Sequence, residues 1–318
     1  MQRILIIVPC SDRKFGVTVR NLQASSLPKG SIDEVSDSWL NRISETAPTD
    51  YAGNLYAGRS FKELRKACRL IDAELVVVSA GLGIVHQNKK VPNYALTVTK
   101  GSKDSIGERI SDGVFSADLW WETLKSKRKN DYDFRQYLCD MNADLILLGL
   151  SKPYAKMIYK DLANLPVEII QKLRVFGVGL ESELPEPLTR NLLEYDQRMN
   201  GPDSYLVGTM TDLVARCIHD FCVVLKENSK LGVDVEMDQA IVNTRLQGWR
   251  YPIIPKRKNL TDPEIVKFIL ANWENTQGVT HKSLRLLRSQ GYACEQGRFG
   301  KIIASVRNER IEQRDLGL

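Results

Sequence analysis

The chain has 318 residues, of which 43% are hydrophobic and 26% charged, with a formal net charge of +6 at pH 7. This length suits one large domain with a smaller one, and the first apolar run is too short to cross a membrane, so we expect a cytoplasmic protein without membrane association. The six cysteines form no CxxC pair and the three histidines have no zinc-ligand spacing. These patterns predict reduced thiols, no metal site and no cofactor.

Alternating strand and helix patterns predict an α/β domain. Four apolar runs read as buried strands, at residues 4–8, 75–78, 144–150 and 173–179. Helical spacing of apolar residues predicts helices at 60–71, 118–140, 151–164 and 203–226. The segment 16–53 reads as a long irregular excursion. The alternation favours a mainly parallel sheet flanked by helices.

The C-terminal part of the chain has a different pattern. Three short helices are predicted over 261–272, 281–289 and 295–313, with a break that contains Gly291. This arrangement is typical of a helix-turn-helix unit. We therefore predict an α/β catalytic domain at 1–230, a linker at 231–258 and a helical nucleic-acid-binding domain at 259–318.

Polar residues follow the first predicted strand directly: Cys10, Ser11, Asp12, Arg13 and Lys14. Free backbone N–H groups, a hydroxyl and two cations at a strand end can hold an anion such as phosphate. Asp12 stays ionised beside two cations, which suits a general base or the stabiliser of a cationic intermediate. The alternative is a polar turn that caps the strand.

Further polar junctions recur along the same half of the chain. The residues concerned are Tyr56, Arg59, Ser79, Gly81, Tyr94, Ser151 and Tyr154. The carboxyl ends of neighbouring parallel strands share one crevice, so we expect these residues to contribute to one site. Tyrosines can stack on a base, an arginine can fork a phosphate, and glycines allow close approach to the backbone. Ordinary helix caps and turns are the alternative.

Positive charge is concentrated near the C-terminus. Residues 244–318 contain fourteen basic and seven acidic residues, a net charge of +7, so the first 243 residues are close to neutral. Such asymmetry indicates a polyanionic partner. Candidate nucleic-acid-binding residues are Arg250, Lys256, Arg257, Lys258, Arg298 and Lys301. A solvated helical face or a protein-interaction module is the alternative.

Four motifs occur in an order that resembles a known family: Cys10-Ser11-x-Arg13-Lys14, Tyr56-x-Gly58-x-x-Phe61, Ser79-Ala80-x-x-Gly83 and Pro92-x-Tyr94. They resemble bacterial α/β proteins related to the peroxide-stress DNA-binding protein YaaA and to a domain of unknown function found near deazaguanine and phage-defence genes. Pro9-Cys10-Ser11 also resembles a domain of archaeosine synthase, whose fold is similar to that of uracil-DNA glycosylases. The resemblance covers roughly residues 1–165.

The resemblance implies an activity on modified DNA. One anti-phage member of the wider group is a DNA glycosylase that acts on glucosylated hydroxymethylcytosine. The chain departs from the family pattern where an acidic residue usually follows the last tyrosine, because Ala95 stands there. Asp12 therefore becomes the candidate catalytic carboxylate.

Together these observations predict a metal-independent DNA glycosylase that removes a modified base from double-stranded phage DNA and leaves abasic sites. Asp12, Tyr56 and Arg59 are the predicted catalytic residues. The predicted substrate-binding residues are Cys10, Ser11, Arg13, Lys14, Ser79, Gly81, Tyr94, Ser151 and Tyr154. The alternatives are a non-catalytic DNA-binding protein and a nucleobase transferase or modification enzyme of the deazaguanine type.

Overall fold

The computed structural model of the chain describes residues 2–228, 232–253 and 255–315, with side chains as far as residue 310. Two compact units are present, Met1–Pro252 and Ile253–Leu318. The strands of the described residues are β1 (Ile4–Pro9), β2 (Asp50–Tyr51), β3 (Glu74–Ser79), β4 (Gly83–His86), β5 (Lys90–Val91), β6 (Leu145–Gly149), β7 (Leu173–Phe176), β8 (Lys258–Asn259) and β9 (Tyr292–Ala293).

The helices of the first unit are α1 (Ile32–Glu45), α2 (Ala52–Leu55), α3 (Arg59–Ile71), α4 (Ala117–Lys127), α5 (Lys129–Tyr132), α6 (Phe134–Met141), α7 (Lys152–Met157), α8 (Tyr159–Ala163), α9 (Val167–Lys172), α10 (Glu186–Thr189), α11 (Leu213–Glu227) and α12 (Val235–Gln247). Those of the second unit are α13 (Asp262–Ala271), α14 (Trp273–Thr276), α15 (Thr280–Ser289) and α16 (Gln296–Asp315).

A five-stranded sheet with the order β4-β3-β1-β6-β7 forms the centre of the first unit. Strands β3, β1, β6 and β7 are parallel, whereas β4 runs antiparallel to β3. The four predicted strands and the α/β fold are confirmed. The sequence analysis missed β4 because this strand is only four residues long and follows β3 after a turn of three residues.

The prediction of an irregular excursion over 16–53 is wrong for α1. A capping box starts this helix, in which the Glu34 backbone N–H donates to Ser31 Oγ at 3.2 Å and the Glu34 carboxylate accepts from the Ser31 N–H at 2.8 Å. The predicted single helix over 118–140 is divided into α4, α5 and α6. The helix expected from 203 begins only at Leu213.

Three tryptophans, Trp39, Trp120 and Trp121, lie fully buried in the core of the first unit. The indole N–H groups of Trp39 and Trp120 donate to the carbonyls of Gly81 and Ala80, and the Trp121 N–H donates to the Asp161 carboxylate. Each buried indole therefore keeps a hydrogen-bond partner while its ring fills the core. The contacts of Trp39 and Trp120 attach α1 and α4 to the turn after β3, and the contact of Trp121 attaches α4 to α8.

Helix α12 belongs to the first unit, which corrects the prediction of a linker over 231–258. Its Val242 and Leu246 are buried in the main hydrophobic core. Asp234 caps the helix by accepting from the Met237 N–H at 2.8 Å. The predicted domain boundary at residues 230 and 231 lies outside the described residues.

The second unit is mostly helical and has its own hydrophobic core. Ile265 of α13, Leu287 of α15, and Phe299 and Ile303 of α16 are almost fully buried there. Thr261 and Glu264 form a capping box at the start of α13, and β8 pairs in parallel with β9. Across both units, none of the described helices combines the length and the apolar character needed to span a bilayer.

Candidate functional site

A cavity of about 270 Å³ opens at the carboxyl end of β1, between α3, α7 and the start of α11. The predicted residues Cys10, Ser11, Asp12, Ser151 and Tyr154 all line it. Cys10 to Asp12 follow β1, and Ser151 and Tyr154 lie at the start of α7 after β6. Because β1 and β6 are parallel neighbours, their carboxyl ends bring these residues together.

Hydroxyl groups that the sequence analysis missed complete the wall of the cavity. They belong to Ser60, Thr97, Thr99 and Thr211. The Thr99 N–H donates to Thr97 Oγ1 at 3.1 Å within a bend of the chain. A bend of this kind has no strand or helix periodicity, so the pattern of the sequence does not identify these two residues. Apolar residues such as Phe61, Leu64 and Val214 form the remaining wall.

Asp12 is the only charged residue among the described residues that line this cavity. Its side chain is exposed and forms no ion pair with a described residue. The Lys14 ammonium group instead donates to the Ser11 carbonyl at 2.9 Å and lies 4.3 Å from the centre of the Tyr94 ring. Burial lowers the pKa of Lys14. The expected role of Lys14 as a phosphate ligand does not fit this half-buried, tyrosine-facing position.

Three buried tyrosines, one of them in the wall of the cavity, form hydrogen bonds near the ends of β1 and β3. The Tyr56 and Tyr94 hydroxyls are 3.0 Å apart, Tyr94 also bonds Ser79 Oγ, and the Tyr154 hydroxyl is 3.0 Å from Cys10 Sγ. Burial raises the pKa of all three tyrosines, so their hydroxyls remain protonated. Neutral hydrogen bonds therefore join Tyr154 to Cys10 after β1, and Tyr94 to Ser79 at the end of β3.

The expectation that Tyr56 or Tyr94 stacks on a base does not agree with their environment. Both side chains are completely buried. The Tyr56 ring stacks on Phe61 with a centroid distance of 5.0 Å, and the Tyr94 ring packs edge-on against Trp39. Neither ring has a free face toward the cavity. Their positions fit a structural role better than a catalytic or substrate-binding role.

Ser79 and Gly81 are likewise buried, and their polar groups are occupied within the protein. Ser79 Oγ accepts from the backbone N–H groups of Gly81 and Leu82 at 3.2 and 3.0 Å. The Gly81 carbonyl accepts from Trp39 and from the Tyr132 hydroxyl. A Cβ at Gly81 would lie 2.8 Å from the Trp39 ring. This glycine therefore permits tryptophan packing rather than the close approach of a ligand.

Arg13 and Arg59 are exposed, and each is the chain neighbour of a residue that lines the cavity. Neither forms an ion pair with a described residue. The Arg13 carbonyl accepts from the Ala57 N–H at 2.8 Å, which fixes the backbone of the loop after β1. Both guanidinium groups are free to contact a bound anion.

The acidic residues of the 16–53 segment are occupied elsewhere. Asp33 and Asp37 pair with Lys127, at 3.2 and 2.8 Å. Glu34 is committed to the capping box of α1, and hydrogen bonds from Ser31 lower its pKa. None of the three lines the cavity. Asp12 thus remains the carboxylate with access to it.

The predicted nucleic-acid-binding residues divide into occupied and exposed ones. Arg250 forms an ion pair at 2.7 Å with Asp203 of the first unit and holds the pKa of that carboxyl at about 2. Arg298 pairs with Asp262. Lys256, Lys258 and Lys301 are exposed, without an ion pair to a described residue. Arg250 and Arg298 thus serve internal contacts, which leaves less of the predicted surface for DNA.

Within the described parts of the chain, no three histidine, cysteine, aspartate or glutamate side chains are grouped closely enough to hold a metal ion. Two of the histidines instead bond carboxylates: His86 bonds Glu74 at 2.8 Å and His219 bonds Glu63 at 2.9 Å. Comparison with protein-family models, with curated proteins and with solved structures finds no match for this chain.

Proposed function

We propose that the first unit is an N-glycosidase that hydrolyses the bond between a base and its sugar in DNA. The observation that carries this proposal is the single carboxylate, Asp12, at a cavity otherwise lined by apolar side chains, hydroxyls and a thiol. In glycoside hydrolysis a carboxylate stabilises an oxocarbenium-like sugar or activates water. The neutral remainder of the cavity suits an uncharged base.

The size of the cavity favours one nucleotide-sized group over a larger ligand. Its volume, about 270 Å³, lies just below the range of roughly 300–1,000 Å³ that is common for small-molecule sites. A base within a duplex cannot reach such a recess unless it is first extruded from the stack. The proposed reaction therefore includes base flipping before hydrolysis.

Phe15 and Val17 are suited to assist that extrusion. Their side chains are 61% and 89% exposed and lie in the loop that carries Asp12. The backbone of this loop is held, because the Phe15 N–H donates to the Leu55 carbonyl at 2.9 Å and the Phe15 carbonyl accepts from Asn93 at 2.7 Å. A rigid apolar side chain of this kind can enter the space that a flipped base leaves.

Cations beside the cavity can hold the flanking phosphates. Arg13, Arg59 and Lys152 are exposed, and each directly precedes or follows a lining residue in the chain. No ion pair to a described residue neutralises them. Arginine forks and a lysine charge at these positions would orient the strand around the extruded nucleotide.

The test is incubation of the full chain with ordinary DNA and with phage DNA that contains glucosylated hydroxymethylcytosine, the base suggested by the sequence resemblance. Mass spectrometry of the small-molecule fraction should detect a free base, and the DNA should gain alkali-labile abasic sites. DNA binding without any released base would favour the non-catalytic alternative. Base release that requires an added free base would favour a transferase.

A further inference from the structure

A basic groove lies along α15 in the second unit, with a volume of about 590 Å³. We define it by its polar lining residues, which are Arg257, Thr280, His281, Arg285, Arg288, Ser289 and Gln296. Three arginines and a histidine contribute to it, and no carboxylate is among the described residues that line it. The sequence analysis included only Arg257 of these cationic residues.

The groove follows from the pattern of α15. His281, Arg285 and Arg288 are separated by four and three residues, so they occupy one face of the helix with neighbouring positions about 5–6 Å apart. Leu284 and Leu287 are buried in the core of the second unit. One face of α15 thus anchors the helix, while another presents a row of cations.

Other arginines of the second unit are committed to internal contacts. Arg298 pairs with Asp262, and Arg310 lies 4.0 Å from the Glu274 carboxylate and 4.8 Å from the centre of the Trp273 ring. Arg307 donates to the Gly278 carbonyl at 2.7 Å. The two ion pairs neutralise Arg298 and Arg310, whereas the exposed lysines Lys256, Lys258 and Lys301 keep their charges outside the groove.

The arginines of the basic groove remain available for an anion. Arg257, Arg285 and Arg288 form no ion pair with a described residue, although Arg257 Nε donates to the Arg288 carbonyl at 3.3 Å and the Arg288 guanidinium donates to the Cys294 carbonyl at 3.0 Å. A carbonyl acceptor carries no net charge, so these bonds leave both guanidinium charges in place. The Glu295 carboxylate caps α16 by accepting hydrogen bonds from the backbone N–H groups of Gly297 and Arg298. These hydrogen bonds lower the pKa of Glu295. The charge of Arg288 also helps to lower the pKa of Glu295, whereas no described carboxylate is paired with Arg257 or Arg285.

We propose that the basic groove binds the sugar–phosphate backbone of DNA, with Arg257, Arg285 and Arg288 on the phosphates. Guanidinium groups match phosphate oxygens in pairs, and a row of them can follow successive phosphates of one strand. The choice of DNA as the polymer rests on the proposed function. The binding site itself rests on the unpaired arginines and the absence of a lining carboxylate.

The experiment measures binding of the full chain to a short labelled duplex over a range of salt concentrations. The test variant is Arg257→Gln with Arg285→Gln. The matched control, Lys267→Gln with Lys282→Gln, removes the same charge from exposed lysines that do not line the groove. A single Arg285→Gln variant accompanies them, because the exposed Arg285 side chain forms no hydrogen bond or ion pair with a described residue that its loss could break.

A plot of log affinity against log salt concentration has a negative slope, to which each phosphate contact adds about 0.9 in magnitude. The groove variant should therefore make the slope shallower by about 2, and Arg285→Gln alone by about 1. The lysine control should keep the wild-type slope. Equal slopes for the groove variant and the wild type would overturn the proposal. Failure of the wild type to bind DNA, or groove-dependent binding to anionic vesicles instead, would also overturn it.

These results are separable from those of the base-release assay. A groove variant that binds DNA with the wild-type slope overturns this inference even when the wild type releases a base. Groove-dependent DNA binding without base release under any condition supports the groove and overturns the glycosidase proposal. The two readouts, salt slope and free base, therefore fail independently.

Discussion

Asp12 is the residue on which the proposed chemistry depends. Asp12→Asn keeps the size of the side chain but removes its charge, so it should leave DNA binding nearly unchanged and slow base release by about a hundredfold or more. Single-turnover assays with a saturating enzyme concentration measure the chemical step. Asp72→Asn is the matched control, because Asp72 is exposed at the end of α3 in a left-handed conformation that asparagine tolerates.

Base release by Asp12→Asn at the wild-type rate would exclude Asp12 as the catalytic carboxylate. Asp33, Glu34 and Asp37 would be poor substitutes, because each is already paired or caps a helix. Such a result would therefore count against glycosidase chemistry in this cavity as a whole.

Phe15 offers a second test at the residue scale. Phe15→Ala should slow base release from duplex DNA by about tenfold, because an extruded base then leaves an unfilled gap, while release from single-stranded DNA should change little. Val114→Ala, at another exposed apolar position of the first unit, is the control. Equal effects of Phe15→Ala on duplex and single-stranded DNA would argue against an assisting role in extrusion.

Ser79 should prove important for stability rather than for binding. Ser79→Ala leaves the backbone N–H groups of Gly81 and Leu82 without their buried acceptor and leaves the Tyr94 hydroxyl with Tyr56 alone, which should lower the free energy of unfolding by about 2 kcal/mol. Urea denaturation measures this loss, with Ser111→Ala at an exposed position as the control. A change within the error of the control would contradict the structural role assigned to Ser79.

The position of site residues could be predicted only in part. Cys10, Ser11, Asp12, Ser151 and Tyr154 follow parallel strands, and strand order alone brings such residues to one edge. The burial of Ser79 and Tyr94 could not be read from the sequence, because a place after a strand does not decide whether a side chain points into the core or into the cavity. Packing against Trp39 decides it here.

At the scale of elements, α3 and α11 are joined by a polar contact that is sensitive to pH. Burial alone would raise the pKa of Glu63, but hydrogen bonds from Lys66 and His219 outweigh it and lower the pKa. A carboxyl whose pKa is lowered on folding stabilises the protein above its unfolded pKa, near 4.5, and loses that contribution as the pH falls through the folded value.

Glu63→Gln should therefore lower the free energy of unfolding at pH 6 by about 1 kcal/mol. It should also make the fall in stability between pH 5 and pH 3 less steep. Urea midpoints at several pH values measure the effect. Glu181→Gln, at an exposed glutamate, should leave the pH dependence as in the wild type. A parallel pH profile for Glu63→Gln would show that the contact between α3 and α11 contributes nothing.

Helices and strands were predicted well where long apolar runs mark them, and poorly where local polar contacts determine where an element begins. β1, β3 and β6 are continuous buried runs, and the prediction placed them within a residue or two. Helix α1 has apolar residues at helical spacing, Val35, Trp39 and Ile43, and Ser31 and Glu34 form a capping box, so two helix signals are visible in the sequence. Giving more weight to the capping box would have predicted a helix within residues 16–53.

For the whole molecule, the two cores predict that the first unit folds without the second. A chain that ends at Pro252 should unfold cooperatively with a stability close to that of the first unit in the full chain, bind DNA more weakly, and show a shallower salt dependence. The cut has to follow Pro252, because Leu246 is completely buried in the first core. An unchanged salt slope in the shortened chain would contradict a DNA-binding role of the second unit.

The distribution of tryptophan gives each unit its own optical signal. Trp39, Trp120 and Trp121 are fully buried in the first unit, and Trp249 packs against the same core. Trp273 is the single tryptophan between residue 253 and the C-terminus, and it is half-buried beneath Arg310. A difference emission spectrum between the native chain and a Trp273→Phe variant therefore isolates the second unit, and its unfolding can be followed without a label beside that of the first.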